Sequence, residues 1–139
     1  MEDFPILMHT ALDATDCRAL AEFYRQFLGL RYQPGDETPD SGAVDDADWL
    51  VLLNANGHRV MAVNQVATVA RPTWPTDEVP KQMHQEFLVP DRAELERHCR
   101  RAQELGATLL YDRSAEGGAP LYVLADPAGH PFCLMVAHK

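Results

Sequence analysis

The chain of 139 residues repeats itself, and this internal repeat limits its fold more than any other feature of the sequence. The stretch MHTALDATD at 8–16 matches MHQEFLVPD at 83–91, with a constant offset of 75. Further along, WLVLLNANGHRVMAVN at 49–64 matches LYVLADPAGHPFCLMV at 121–136, with an offset of 72. The two matching pairs of segments predict that one structural module occurs twice in tandem.

A helical pattern follows each copy of the first repeat. Apolar residues recur at spacings of three and four after Asp16 and after Asp91, and either aspartate is a suitable N-cap. Gly29 and Gly106 follow the apolar stripes as natural helix stops. The second repeat predicts strand, tight turn and strand, and LRYQP and ATLLY add a strand after each helix. Each half is therefore predicted to be βαβββ.

The predicted modules span 4–66 and 82–138 and form a single domain. Between them, the segment 67–81 contains three prolines and predicts an extended linker. The irregular segment 33–48 contains six acidic residues and is interpreted as a solvated mobile loop, with a lid over a binding site as the alternative.

Charge and cysteine content exclude several functional classes. A net charge of −9 and a pI near 5.0 argue against nucleic acid or an anionic membrane as a partner. No apolar run approaches the length of a membrane-spanning helix, and the acidic start MEDFPILMHT is unlike a signal peptide. Cys17, Cys99 and Cys133 show no CxxC spacing, so reduced thiols are expected. These features predict a cytoplasmic protein.

The doubled pattern, with FYRQFLGL ending the first helix and DPAGHPFCL near the C-terminus, resembles the vicinal-oxygen-chelate superfamily. This group includes glyoxalases, bleomycin-resistance proteins and extradiol dioxygenases, and the resemblance covers nearly the whole chain. It implies an α+β fold in which eight strands form a curled mixed sheet around a cavity, with the helices outside. It also implies a homodimer and a small-molecule ligand.

In metal-using members of the superfamily, His or Gln on the first strand and Glu on the last strand of each module bind a divalent ion. These positions fall on His9 and His84, and on Met61 and Cys133. Both expected carboxylates are absent, so the charge that would compensate a bound cation is lost. The resemblance therefore implies no cofactor, with a divalent ion (Zn, Fe, Mn or Ni) on His9 and His84 as the alternative. Cys133 as a thiolate would favour zinc or copper.

Glu86 adds a carboxylate beside His84, because alternate residues of a strand point to the same face. The pair is a candidate acid/base site, since histidine titrates near neutral pH, and a candidate set of metal ligands. By the same alternation, Val63 is expected on the inward face. The predicted ligand-binding residues on that face are His9, Met61, His84, Glu86, Cys133 and Met135.

Two functions are consistent with these residues. The first is a glyoxalase-like or bleomycin-resistance-like protein that binds a small organic molecule in the cavity between the modules without a metal. The second is an enzyme that uses His9, His84 and Glu86, either as a metal-dependent lyase, isomerase or dioxygenase or as a metal-free acid/base catalyst. Trp49 and Trp74 are interpreted as packing residues, with stacking on a ligand as the alternative.

Overall fold

The computed structural model describes residues 3–115 and 119–137. Its elements in chain order are β1 (Thr10–Ala14), α1 (Cys17–Leu28), β2 (Arg31–Tyr32), β3 (Trp49–Leu53), β4 (Arg59–Gln65), β5 (Gln85–Val89), α2 (Arg92–Glu104), β6 (Thr108–Arg113), β7 (Leu121–Ala125) and β8 (Pro131–Val136). This order is βαβββ twice and confirms the predicted α+β fold with tandem modules. Residues 116–118 and 138 of the predicted second module lie outside the described part.

The eight strands form two hydrogen-bonded sheets of four. Their orders are β1-β4-β3-β2 and β5-β8-β7-β6. In the first sheet β1 runs parallel to β4, and in the second β5 runs parallel to β8. The chain divides into two compact units, Met1–Val69 and Ala70–Lys139, so the second unit begins within the predicted linker. Neither helix within residues 3–115 and 119–137 is long and apolar enough to cross a membrane.

Both helices begin where the sequence predicts them to begin. The Asp16 carboxylate accepts a hydrogen bond from the backbone N–H of Ala19 at 3.1 Å, and Asp91 accepts one from that of Glu94 at 2.9 Å. Helix α1 ends at Gly29, whose φ of 65° is unfavourable for residues with a Cβ. The apolar stripe of each helix is buried, which confirms the predicted periodicity.

The two turns that follow β3 and β7 repeat the same hydrogen bonds. Asn54 Oδ1 accepts from the backbone N–H of His58 at 3.0 Å, and Asp126 Oδ1 accepts from that of His130, also at 3.0 Å. The glycine before each histidine has a positive φ, 79° in the first turn and 99° in the second. The duplication therefore extends from the sequence to the local geometry of the turns.

Strand β4 contains one residue more than its counterpart β8. Leu52 lies opposite Met61, whereas Leu53 lies opposite Arg59, so Val60 is the extra residue of a β-bulge. The pairing of β7 with β8 contains no such shift. The sequence alignment pairs the two strands with an offset of 72. Beyond the bulge, each residue of β4 therefore corresponds to the residue of β8 that lies one position before its partner in that alignment.

This bulge corrects the predicted equivalence of Met61 and Cys133. Cys133 and Ala62 each lie opposite the second residue of the first strand of their module, so these two positions correspond. Met61 corresponds instead to Phe132. A one-residue shift in a strand moves every side chain to the opposite face, so Met61 and Cys133 occupy different faces of their sheets.

The face occupied by Met61 is the one that packs against α1. The Tyr32 hydroxyl donates a hydrogen bond to Glu22 of α1 at 2.7 Å, which identifies the α1 side of the sheet. Tyr32 lies opposite Leu52, which lies opposite Met61, and directly paired residues share a face. Val63 shares that face by alternation. The prediction that Met61 and Val63 point to the same inward face as Cys133 is therefore wrong.

Candidate functional site

In the second sheet, Cys133 and Met135 lie on the face that is turned away from α2. The Tyr122 hydroxyl donates to Glu96 of α2 at 2.8 Å, and Tyr122 is paired with Leu134. These contacts place Leu134 on the helix side, and alternation places its neighbours in β8 on the other side. We call this other side the open face of the second sheet.

The open face of the second sheet brings three predicted site residues together. Glu86 lies directly opposite Cys133 across the β5–β8 pair, and His84 precedes Glu86 by two residues. His84 Nε2 lies 3.6 Å from Glu86 Oε2, and one ligand atom from each of the three residues lies within 4.8 Å of the others. The side chains of His84 and Glu86 are 29% and 56% exposed, whereas Cys133 is buried.

The segment before β5 places an aromatic ring against His84. The edge-to-face contact between Trp74 and His84 has a centroid separation of 5.3 Å and an interplanar angle of 73°. Lys81 Nζ lies 3.6 Å from the centroid of the Trp74 ring in a cation–π contact. Trp74 was predicted as a packing residue. Lys81 has no sequence signal that distinguishes it from other lysines, because its role depends on the path of the chain before β5.

The thiol of Cys133 is protonated near neutral pH. Burial raises the pKa of this thiol above its ordinary value, and the Glu86 carboxylate raises it further. The positive charges of Lys81 and Arg113 act in the opposite direction but do not overcome burial. Because the thiolate is the reactive form, Cys133 at rest is a weak nucleophile.

In the first sheet, His9 lies on the face turned away from α1. The centroid of its ring lies 6.0 Å from that of Trp49, and Trp49 is paired with Asn64. Asn64 follows Val63 in β4 and therefore points away from α1. On that face, Asn64 Nδ2 donates to Asp13 at 3.1 Å. His9 Nδ1 is buried and has no hydrogen-bond partner within the described residues. A buried ring nitrogen without a partner is a group that a ligand can satisfy.

The first unit also contains an open pocket of about 570 Å³, at a different place from His9. Its lining includes Glu22, Arg25 and Tyr32, which bond to one another, and none of the predicted site residues. Its polar walls come from α1, β2 and the acidic segment, which are consecutive in the chain. Sequence patterns did not identify it, because the course of the irregular acidic segment follows no local pattern. In that segment, Asp45 pairs with Arg18 at 2.8 Å.

The sequence profile of the glyoxalase-like domain family matches residues 9–135. The chain belongs to this family. The family is part of the vicinal-oxygen-chelate superfamily, as the sequence resemblance predicted. Comparison of this glyoxalase-like protein with curated proteins gave no significant match.

Solved structures share the fold of this glyoxalase-like protein along nearly its whole length. A fosfomycin resistance protein, FosX, from Listeria monocytogenes has a TM-score of 0.69 at 15% identity, covering 98% of this chain and 94% of its own. A glyoxalase/dioxygenase from Nostoc punctiforme has a TM-score of 0.68 at 18% identity, with 99% and 94% covered. A glyoxalase/bleomycin resistance/dioxygenase family enzyme from Burkholderia phytofirmans PsJN has a TM-score of 0.67 at 16% identity, with 94% and 98% covered.

The metal ligands that the superfamily implies fit this glyoxalase-like protein only in part. His84 was expected on the first strand of its module and lies one residue before β5, and a thiol at Cys133 replaces the expected carboxylate of the last strand. Glu86 provides a carboxylate at another position of the same face. The donor set of nitrogen, oxygen and sulfur suits a borderline-soft ion better than a hard ion that prefers oxygen ligands.

Proposed function

We propose that this glyoxalase-like protein binds a small organic molecule on the open face of the second sheet. The single observation that supports this most directly is Leu88, whose residue surface is 70% exposed. Leu88 is paired with Met135 on the face that also contains His84 and Glu86. Leu88 and the half-buried Met135 form a continuous apolar surface beside a few polar groups, which is typical of a ligand site.

The charges around this face favour an aromatic ligand with an anionic group. Lys81 and Arg113 both act electrostatically on Cys133, and Trp74 offers a ring that can stack on a planar ligand. The names of the structural relatives, which include fosfomycin and bleomycin resistance proteins, agree with a small-molecule ligand. Separately, in the first unit, we propose that the buried Nδ1 of His9 bonds to a polar group of a ligand.

The proposal is tested with anilinonaphthalene sulfonate, an aromatic anion whose fluorescence increases in apolar surroundings. We expect saturable binding with one molecule per chain and quenching of Trp74 fluorescence, measured in a Trp49→Phe variant so that only Trp74 contributes. Leu88→Glu should weaken binding at least about tenfold, because loss of a buried leucine contact costs about 1.5–3 kcal/mol and the new carboxylate repels the sulfonate.

Leu109→Glu is the matched control for this experiment. Leu109 is also an exposed leucine of the second sheet, but it is paired with Leu124 on the α2 side. This variant should bind the probe as the wild type does. Absence of saturable binding, or equal weakening by Leu88→Glu and Leu109→Glu, would contradict the proposal.

A second candidate function is an acid/base or metal-dependent enzyme that uses His84 and Glu86. The distance of 3.6 Å between His84 Nε2 and Glu86 Oε2 favours it, because a small rotation of the exposed Glu86 side chain brings the carboxylate within hydrogen-bond reach of the imidazole. A glyoxalase assay with and without added Zn²⁺ or Ni²⁺ tests this function. Turnover that is lost in both His84→Asn and Glu86→Gln would support it, and no turnover by the wild type would contradict it.

We also propose that the protein is cytoplasmic and forms a homodimer. The three cysteines, all within the described residues, are free and buried, which agrees with a reducing compartment. A segment near the N-terminus exposes several apolar side chains, and such exposure is typical of a contact surface. The exposed residues are Phe4 at 78%, Ile6 at 75%, Leu7 at 85% and Met8 at 58%.

A further inference from the structure

We infer that His84, Glu86 and Cys133 form a zinc-class metal site within the second unit alone. The three side chains project from one face of the β5–β8 pair, and their ligand atoms all lie within 4.8 Å of one another. The inferred site differs from the ligand set that the superfamily implies, because it takes its carboxylate from β5 and a thiolate from β8. It shares His84 and Glu86 with the face proposed to bind an organic molecule, but metal binding does not require that molecule.

The spacing of the three groups is close to that of a zinc centre. Tetrahedral bonds of about 2.0–2.3 Å separate neighbouring ligand atoms by about 3.3–3.8 Å. The distance of 3.6 Å between His84 Nε2 and Glu86 Oε2 already falls in this range. The remaining separations, both to Cys133 and at most 4.8 Å, require a movement of about 1 Å, which the accessible side chains of His84 and Glu86 can make by rotating.

The charges of the ligands balance those of a divalent cation. The Glu86 carboxylate and a Cys133 thiolate provide two negative charges, so the loss of both last-strand carboxylates does not leave a bound ion uncompensated. Lys81 and Arg113 oppose cation binding and limit its affinity. The ammonium group of Lys81 is held over the Trp74 ring at 3.6 Å, where the ring partly offsets its charge.

The identity of the donors selects the ion. One imidazole nitrogen, one carboxylate oxygen and one thiolate sulfur suit Zn²⁺ and Co²⁺, whereas Mg²⁺ prefers oxygen ligands alone. Three protein ligands leave the fourth tetrahedral position open for water or an oxygen atom of another molecule. This arrangement is typical of zinc sites that bind or activate a ligand.

The site is tested with Co²⁺ and Zn²⁺ on the full chain, without any organic ligand. We expect Co²⁺ to produce visible ligand-field bands and a near-ultraviolet thiolate-to-metal charge-transfer band. Calorimetry in two buffers of different ionisation enthalpy should show one Zn²⁺ per chain and release of about one proton, which the Cys133 thiol transfers to the buffer as its sulfur binds the ion. Mg²⁺ should not bind at the same concentrations.

Variants assign the ligands individually. Cys133→Ser should abolish the charge-transfer band, and His84→Ala and Glu86→Gln should each weaken Zn²⁺ binding by at least about 100-fold, beyond the 10- to 100-fold effect of losing an outer partner. Cys99→Ser and His58→Ala are matched controls and should leave binding unchanged. Cys99 is a buried thiol of α2, and His58 is an exposed turn histidine.

Several results would overturn the inference. They are the absence of stoichiometric Zn²⁺ binding, a charge-transfer band that persists in Cys133→Ser, and equal weakening by the control variants. Near-ultraviolet circular dichroism shows whether Cys133→Ser, at a buried position, still folds. If it does not, the exposed Glu86→Gln and partly exposed His84→Ala variants decide the outcome. Because no organic probe is present, failure here leaves the anilinonaphthalene sulfonate result unaffected, and the reverse also holds.

Discussion

Among single residues of the first unit, Glu22 of α1 connects the helix to the sheet. Its carboxylate accepts hydrogen bonds from Arg25 Nε at 2.6 Å and from the Tyr32 hydroxyl at 2.7 Å. The hydrogen bond from Arg25 is the main reason that the pKa of Glu22 lies below its ordinary value. Burial acts in the opposite direction, and the hydrogen bond from Tyr32 lowers the pKa further. Burial, together with the hydrogen bond that Tyr32 donates to Glu22, raises the pKa of Tyr32 to about 12.

Tyr32→Phe should lower the free energy of unfolding by about 1 kcal/mol at pH 7, because one hydrogen bond to a partly exposed carboxylate is lost. The measurement is urea denaturation of the variant and the wild type. Tyr111→Phe is the matched control, because Tyr111 is 41% exposed, and it should change stability by less than about 0.5 kcal/mol. A Tyr32→Phe variant as stable as the control would contradict the expectation.

The stability difference between wild type and Tyr32→Phe should depend on pH through Glu22. The folded-state pKa of Glu22 is lowered, so its contribution is complete above the unfolded value of about 4.3 and is lost as the pH falls through the folded value. Denaturation at pH 7 and below about pH 4 should therefore show the difference shrinking in acid. A constant difference would mean that Tyr32 acts through packing and not through the carboxylate.

At the scale of elements, the duplicated turns differ in burial although their hydrogen bonds match. Asp126 is 1% exposed, whereas Asn54 is only half-buried, and both accept backbone N–H bonds through Oδ1. Water can replace the Asn54 bonds when that side chain is removed, but it reaches the Asp126 site poorly. Equivalent positions of the two modules are therefore expected to contribute unequally to stability.

Asp126→Ala should lower the free energy of unfolding by about 2–3 kcal/mol, because the N–H groups of Ala128 and His130 lose a buried acceptor. Asn54→Ala should cost less than about 1 kcal/mol, since its donors stay accessible to water. Asp126→Asn retains an Oδ1 acceptor and should recover part of the loss. Chemical denaturation measures all three variants, and equal losses at Asp126 and Asn54 would show that burial does not distinguish the turns.

At the scale of the whole molecule, the proposed homodimer has a direct test. If the segment containing Phe4, Ile6 and Leu7 forms the contact between two copies, the double substitution Ile6→Lys and Leu7→Lys should shift the mass from dimer to monomer, because buried lysine charges are costly. Analytical ultracentrifugation measures the mass. The exposed Val44→Lys is the control and should leave the dimer intact; a monomeric wild type would contradict the proposal.

Much of the fold was predictable because its signals are local. Asp16 and Asp91 cap their helices through N–H groups three residues away, and α1 ends at Gly29, its predicted stop. The pairing of His84 with Glu86 followed from strand alternation alone. The predicted curl of the two halves around one cavity stays a prediction.

The sequence by itself determined the tandem βαβββ order, the caps and the turns, since these depend on residues only a few positions apart. Tertiary structure alone decided which side chains share a face with Cys133. Val60 forms a bulge that a gap-free alignment of the two strands cannot reveal, and Trp74 reaches His84 through the path of a segment without regular structure. Strand register and the course of a loop are set by contacts between distant residues, so no local pattern records them.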